Sequence, residues 1–372
     1  MSTAFIADVH IGNHKRHGGA TMASINARCR LVLGTLRGAV GEAIAHKCTR
    51  LVVAGDLLDY SRPEAPVLNE VQQTFRKAHR AGIEVVLMVG NHEQISTAQG
   101  DHALGVLSTY AIVVEKPARL GDLLCVPFRP GPAKDWLEDA VRVMLNAEGG
   151  AGPAPPPGPG PRTLAIHLGI RDDRTPIWLR NAPDSIHIDE LFAICEEHAV
   201  TRVVAGNWHN HQTWRKGKIK VMQLGALCPT GWDNPGLDGY GTVAFLDGEA
   251  LTKIEVPGPR FVATKSYKEA TALVDKAQRA GCRPFLSLTV APEDMLEMSA
   301  WVEASVTKGK LAGGEVLPDQ EMAKHEAENA SAAARGASNI DEALVDFVAH
   351  KPMPDTVDRR AVLSRCQEYM KP

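Results

Sequence analysis

The chain has 372 residues, 44% apolar and 23% charged, with a net charge of −3. That is enough for one large α/β domain and a smaller one, and too near neutral for the whole surface to attract a polyanion, so any nucleic-acid contact must come from local patches or metals. No run approaches the roughly 20 apolar residues of a membrane span. "MSTAFIADVH" lacks the basic-then-apolar layout of a secretory leader, and seven scattered cysteines without a CxxC pair argue against a disulfide framework and for a cytoplasmic protein.

The first 260 residues alternate strands with helices, the pattern of helices packed on both sides of sheets. "TAFIADVH" is a short apolar strand. "SINARCRLVLGTLRGAVGEAIAHKC" has helical period, with Leu33, Leu36, Val40 and Ile44 on one face. "RLVVAGD" is a buried strand. "PVLNEVQQTFRKAHRAG" is a helix stopped by Gly82, and "IEVVLMVGNHE" is the next strand. "DLLCVPF" follows, then a helix from Trp136 to Leu145. Glu148 to Thr163 is a Pro/Gly surface loop. "TLAIHLG" returns as a strand, and "WRKGKIKVMQLG" is a β-hairpin turning at Gly217, with Arg215, Lys216, Lys218 and Lys220 on it.

After Pro257 the pattern changes. "YKEATALVDKAQRAG" is a helix, "RPFLSLTV" a strand, "PEDMLEMSAWVEASVTKG" a helix begun by Pro292, and "EVLPD" a last strand. The polar, Ala-rich "EMAKHEAENASAAARGASN" reads as a linker. Two short amphipathic segments follow, one carrying Ile340, Leu344, Phe347 and Val348, the other Val362, Cys366 and Tyr369. The organisation expected is a large domain over 1–260, a small α/β unit over 261–320, a linker over 321–338 and a helical tail over 339–372.

Five strand ends carry residues of one chemical kind: Asp8 and His10; Gly55-Asp56 with Asp59; Gly90-Asn91-His92-Glu93; His167; and the "AGNWHNH" stretch with Asn207, His209 and His211. Side chains at the carboxyl ends of strands in an α/β sheet converge on one crevice. Carboxylate, amide and imidazole together suit divalent manganese, iron or zinc, and not a thiolate site. Taken singly, GDxxD reads as a helix cap, GNH as a turn and His167 as a core histidine. Their order along the chain, each after a strand, favours the metal reading.

This ordered set, DxH, GDxxD, GNHE, a lone His and a G-x-x-H element, resembles the calcineurin-like metallophosphoesterases over about residues 1–260. The resemblance implies a two-sheet αββα sandwich and two divalent metal ions, manganese first, with magnesium, iron or zinc as alternatives. By the same resemblance Asp8 and His10 hold one metal, Asp56 bridges both, and Asn91 and His167 hold the other. The G-x-x-H element adds one ligand to each: Asn207 and His209 if Gly206 sets the register, or His209 and His211 in the rival register. His92 then protonates the leaving oxygen, and Asp59 orients His92.

Tyr60-Ser61 stands where the phosphatase form of the family has Arg-Gly. "GDLLD", "HLGI" and the small α/β unit resemble the SbcD-type DNA repair nucleases, whose GNH motif commonly continues with Asp where this chain has Glu93. That likeness implies a two-metal DNA exonuclease and endonuclease with a capping domain. Its tail would dock on an SbcC-type ATPase, and a homodimer is a frequent assembly of such enzymes. The basic hairpin (Arg215, Lys216, Lys218) and "GNHKRHGG" (His14, Lys15, Arg16) are candidate DNA-backbone contacts. The other classes weighed are a phosphodiesterase or phosphatase for small phosphoesters and a scaffold without activity.

Overall fold

The computed structural model describes residues 2–15, 17–96, 101–146, 162–232, 241–279 and 283–319, with isolated positions after 347. Residues 148–161 of the Pro/Gly stretch, Arg16, and the linker and most of the tail expected after 320 lie outside the described residues, while Arg162 and Thr163, expected in that loop, already belong to a strand. The chain divides into two compact units, one of Met1–Phe261 with Ala280–Phe285, the other of Val262–Arg279 and the residues from Leu286 onward. No helix among the described residues is long and apolar enough to cross a membrane.

In the larger unit, besides two short antiparallel pairs (Thr21–Met22 with Ile25–Asn26, and Gln94–Ser96 with Asp101–His102), the strands in chain order are β1 (Ser2–Ile6), β2 (Arg50–Val53), β3 (Glu84–Met88), β4 (Ile112–Val114), β5 (Ala118–Leu120), β6 (Leu123–Val126), β7 (Arg162–His167), β8 (Gly169–Arg171), β9 (Ser185–His187), β10 (Val200–Gly206), β11 (Gln212–Lys216), β12 (Ile219–Gln223), β13 (Thr242–Asp247) and β14 (Ala250–Glu255). They form two six-stranded sheets, ordered β14-β13-β1-β2-β3-β4 and β11-β12-β10-β7-β6-β5. β1 through β4 run parallel, as do β6, β7, β10 and β12. β8 and β9 make a separate parallel pair.

The continuous apolar runs of the sequence are strands covered on both faces. Alternate residues face opposite ways. Ala4, Ile6, Leu51, Val53, Val85 and Leu87 pack with α1 (Ala27–Ala45) and α2 (Ala65–Arg80). Leu164, Ile166, Val203 and Ala205 pack with α3 (Leu137–Asn146) and α4 (Ile188–Glu197). The residues between them, Phe5, Val52, Val86, Met88, Ala165 and Val204, form a third cluster between the sheets. The result is the four-layer αββα sandwich.

Helix ends follow local chemistry. The run expected to be helical from Ser24 enters α1 only at Ala27, because Asn26 caps it: its Oδ1 accepts from the Cys29 N–H at 2.8 Å. α2 starts with Pro66 in its first turn and ends with Lys77, His79 and Arg80, which favour the negative end of the helix dipole.

The smaller unit is a three-stranded sheet of Phe261–Thr264, Phe285–Val290 and Gly313–Pro318 with α5 (Tyr267–Arg279) and α6 (Met295–Thr307). Ala270, Val274, Leu286, Leu288, Met298, Val302 and Leu311 make its core. Pro292 opens a short 3-10 turn, and α6 proper begins three residues later than its sequence suggests.

Candidate metal centre

The polar strand ends meet at one place in the larger unit. Asp8 and His10 follow β1, Asp56 and Asp59 follow β2, and Asn91 and His92 follow β3, all from the first sheet. His167 ends β7, and Asn207 and His209 follow β10, from the second. The first two loops are zipped together past the ends of their strands. Asp8 N–H donates to the Gly55 carbonyl at 3.2 Å, Val9 and His10 N–H to the Asp56 carbonyl at 2.8 and 3.1 Å, and Ile11 N–H to the Leu57 carbonyl at 2.9 Å.

The backbone there is forced into an uncommon shape. Asp8, His10, Asp56 and Asn207 have φ of 50°, 52°, 50° and 90°, a region that costs side-chain-bearing residues energy and clusters at functional sites. Gly55, at φ 93°, sits so close to the His167 ring that a Cβ would strike it, and a Cβ on Gly90 would strike the Asp56 carboxylate. These two glycines let the ligands approach one another.

Asp8, His10, Asp56 and His167 are almost completely buried. Asp8, His10 and His209 form one group of converging ligand atoms, and Asp8, Asp56 and His167 another. His10 Nε2 lies 3.1 Å from His209 Nε2. Asp8 is common to both groups, and Asp56 Oδ2 lies 3.9 Å from His10 Nε2 and 3.5 Å from His167 Nε2. Asn91 Oδ1 is 3.1 Å from His167 Nε2, whose Nδ1 meets the Ala54 carbonyl at 2.7 Å. A neutral ring that donates through Nδ1 to a carbonyl presents a lone pair at Nε2, the arrangement of a metal-ligating histidine.

Charged groups of both signs crowd this pocket. Burial, with Asp56 close by, pushes the Asp8 carboxyl up to about 6. Burial opposes charge on His167, yet Asp56 and Asp8 outweigh it and push the ring up to about 10. Burial and the neighbouring His10 push His209 down to about 3. Asp56 is held low despite its burial, because His167, His10 and His92 surround it. Two buried carboxylates facing converging imidazoles are the donor set that divalent cations satisfy, displacing protons as they bind. The residues present therefore fit two such ions.

Asn207 gives its N–H to both Asp8 carboxylate oxygens, at 3.0 and 3.1 Å, and its Nδ2 to Asp184, at 3.2 Å to the carbonyl and 3.0 Å to Oδ2. That fixes which amide atom is oxygen and leaves Oδ1 without a donor among the described residues. His211 is turned elsewhere, its Nδ1 3.0 Å from the Leu224 carbonyl, and it joins neither ligand group. Of the two rival histidines, His209 joins a ligand group and His211 joins none.

His92 stands at the rim. Its side chain is 38% exposed, against 2% for Asp56. Its N–H donates to Asp56 Oδ1 at 3.0 Å, and its Nε2 lies 4.0 Å from Asp56 Oδ2. Asp59 does adjoin it, but not as expected: the Asp59 main-chain carbonyl meets His92 Nδ1 at 2.7 Å. The Asp59 carboxylate instead lies between His10 Nδ1, at 3.5 Å, and His14 Nδ1, at 3.2 Å. Burial would raise this carboxyl, but the two histidines hold it well below the usual range.

Other expected residues fall differently. His14, expected to face DNA, is turned inward onto Asp59 and the His10 carbonyl, because these acceptors lie beneath it. Lys15 is exposed. Arg215, Lys216 and Lys218 are exposed on the expected edge hairpin, although Lys216 pairs with Glu196 at 3.0 Å. Sequence reading missed Glu93. It is fully buried, accepts from Leu58 N–H and Gly90 N–H at 2.8 Å each, and is pushed up to about 7 by burial and Asp56. It also missed Asp184. A buried Glu has no periodic signature, and Asp184 is 23 residues from the amide it holds.

The sequence model of the calcineurin-like phosphoesterase family matches residues 1–211, which include every residue of this centre. The chain belongs to the calcineurin-like phosphoesterase family. This phosphoesterase is also similar to the DNA double-strand break repair protein Mre11 of Methanopyrus kandleri, 29% identical over 93 residues. That stretch is 25% of this chain and spans only 19% of the relative. Among solved structures, a dimetal phosphatase from Danio rerio covers 69% of this chain and 99% of its own, at 13% identity and a TM-score of 0.40. An archaeal phosphodiesterase covers 69% of this chain and 100% of its own, at 12% identity and a TM-score of 0.35.

Proposed function

We propose that this phosphoesterase is a two-metal DNA nuclease. The observation that carries the chemistry is a buried double ligand group with one half-exposed histidine, His92, at its rim. Asp8, His10 and His209 would hold one divalent ion, His167, Asn91 and Asn207 Oδ1 the other, with Asp56 shared. Ions bound there supply Lewis acidity and lower the pKa of coordinated water.

The protein's own groups do the rest. His92 Nδ1 is occupied by the Asp59 carbonyl, so Nε2 is the atom that carries a proton to the leaving oxygen. Glu93 clamps the second and third loops, holding Asp56 and His92 in fixed relation. Preorganised groups of this kind need no rearrangement as charge builds on the phosphate.

DNA as substrate is supported by the Mre11-like stretch and by the exposed Arg215 and Lys218 on the edge hairpin. The smaller unit would then serve as a capping domain, and the tail as the docking segment for an SbcC-type ATPase. Manganese is the expected ion and a homodimer the expected assembly. The test is hydrolysis of linear double-stranded DNA beside p-nitrophenyl mono- and diesters, with Mn²⁺. Cleavage of DNA with loss of about one unit of salt slope per cation reversed, in Arg215→Glu and Lys218→Glu, supports the proposal. Turnover of small esters alone replaces it with a small-phosphoester hydrolase.

A further inference from the structure

His14 was expected to meet substrate. Its position suits another task. The ring spans two acceptors, with Nδ1 3.2 Å from Asp59 Oδ2 and Nε2 3.1 Å from the His10 carbonyl oxygen. Its side chain is only 10% exposed. The loop that carries it is held on three sides. Asn13 N–H donates to the Tyr60 hydroxyl at 3.0 Å, Asn26 N–H donates to Asn13 Oδ1 at 2.9 Å, and Asn26 Nδ2 donates to the His14 carbonyl at 2.9 Å.

Asp59 is the residue this arrangement grips. Its carboxylate faces His10 Nδ1, a buried nitrogen that makes no hydrogen bond among the described residues. Its carbonyl orients His92. One residue therefore touches a ligand ring with its side chain and the proton-donating ring with its main chain. A carboxylate behind a ligating imidazole fixes the ring's orientation and raises its basicity. At 3.5 Å the Asp59–His10 contact is longer than a normal hydrogen bond, so its upkeep depends on what holds the carboxylate from the other side.

We infer that His14 is a positioning residue: by gripping Asp59 it holds both His10 against the first ion and His92 against the leaving oxygen. This rests on the two-cation reading of the centre. It assigns "GNHKRHGG" a supporting role in the reaction in place of DNA contact at His14.

The test compares His14→Ala, His14→Asn and His14→Gln in the full chain. The Asn amide nitrogen reaches where ring Nδ1 stands; the Gln amide nitrogen reaches where Nε2 stands. Mn²⁺ is titrated into metal-free protein by calorimetry, unfolding is followed in chelator, and kcat and KM are measured on bis-p-nitrophenyl phosphate. The expected result for His14→Ala is a loss of about 10–100-fold in affinity for one of two Mn²⁺ equivalents, the other unchanged. Its kcat falls while KM moves by less than about threefold, and unfolding stays cooperative. His14→Asn restores the lost affinity, and His14→Gln does not. Wild-type affinity for both ions in His14→Ala overturns the inference, as do equal values for the Asn and Gln variants, which decide the matter even if the Ala variant does not fold. A wild-type protein that binds fewer than two Mn²⁺ overturns the two-cation reading itself, and the inference with it.

Discussion

In the proposed ligand set the two halves of the metal centre are built from different donors. The first half has two imidazoles, His10 and His209, beside Asp8, with Asp59 and His14 behind them. The second has one imidazole, His167, beside the Asn91 amide, and in the proposed ligand set it would gain the Asn207 amide, whose Nδ2 is held by Asp184. Amide oxygens are weaker donors than imidazole for borderline ions. The difference teaches that two neighbouring sites sharing one carboxylate need not be equally tight. The first half is expected to fill at lower ion concentration than the second.

The comparison breaks outright at the shared residue. Asp56→Asn should abolish binding of both ions and reduce turnover to background; calorimetric Mn²⁺ binding with two intact equivalents would show that Asp56 bridges nothing. Next in size, His92→Ala should keep both ions while turnover of an activated-ester substrate falls about 10²–10⁴-fold. Metal analysis of the variant separates this from a ligand role. Asp184→Ala should loosen only the second half, by about 10-fold in affinity, since it removes one of the two acceptors that hold the Asn207 amide and leaves the main-chain carbonyl. Competition with a chelator measures it, and an equal effect on both halves would remove the asymmetry. The smallest effect belongs to His211→Ala, expected to leave both affinities within about twofold of wild type because its ring serves the Leu224 carbonyl. A lost ion there would restore the rival register.

Much of this centre was legible because strands end abruptly. Apolar runs such as Leu51–Val53 and Val85–Met88 stop at a glycine and then a polar residue, and parallel strands bring such ends together. The strand-end positions therefore placed Asp8, Asp56, Asn91 and His167 on one rim, while their ligand roles came from the family resemblance. Orientation was not legible. The Asp59 carboxylate could face His92 or His10, and only the fold of the first loop against the second decides between them. The inward turn of His14 depends in the same way on Asn26 and Tyr60, 12 and 46 residues further on. A cluster of polar residues reads as surface until tertiary contacts supply partners for it. Glu93 shows the converse: a residue that sequence treats as a departure from a motif is a buried clamp between two loops.

The ladder between residues 8–11 and 55–57, reinforced by Glu93, is made entirely of protein hydrogen bonds. The cup thus has a frame of main-chain hydrogen bonds in addition to whatever its ions contribute. In small zinc domains the ion is part of the folding energy, and removing it unravels the chain. Here part of the frame is supplied by the protein's own hydrogen bonds, and unfolding in chelator is expected to remain cooperative. Occupancy then follows which ions the surroundings supply and which tolerate that spacing. An enzyme of this design is expected to be silenced by withdrawing its ions and revived by returning them, with no refolding in between.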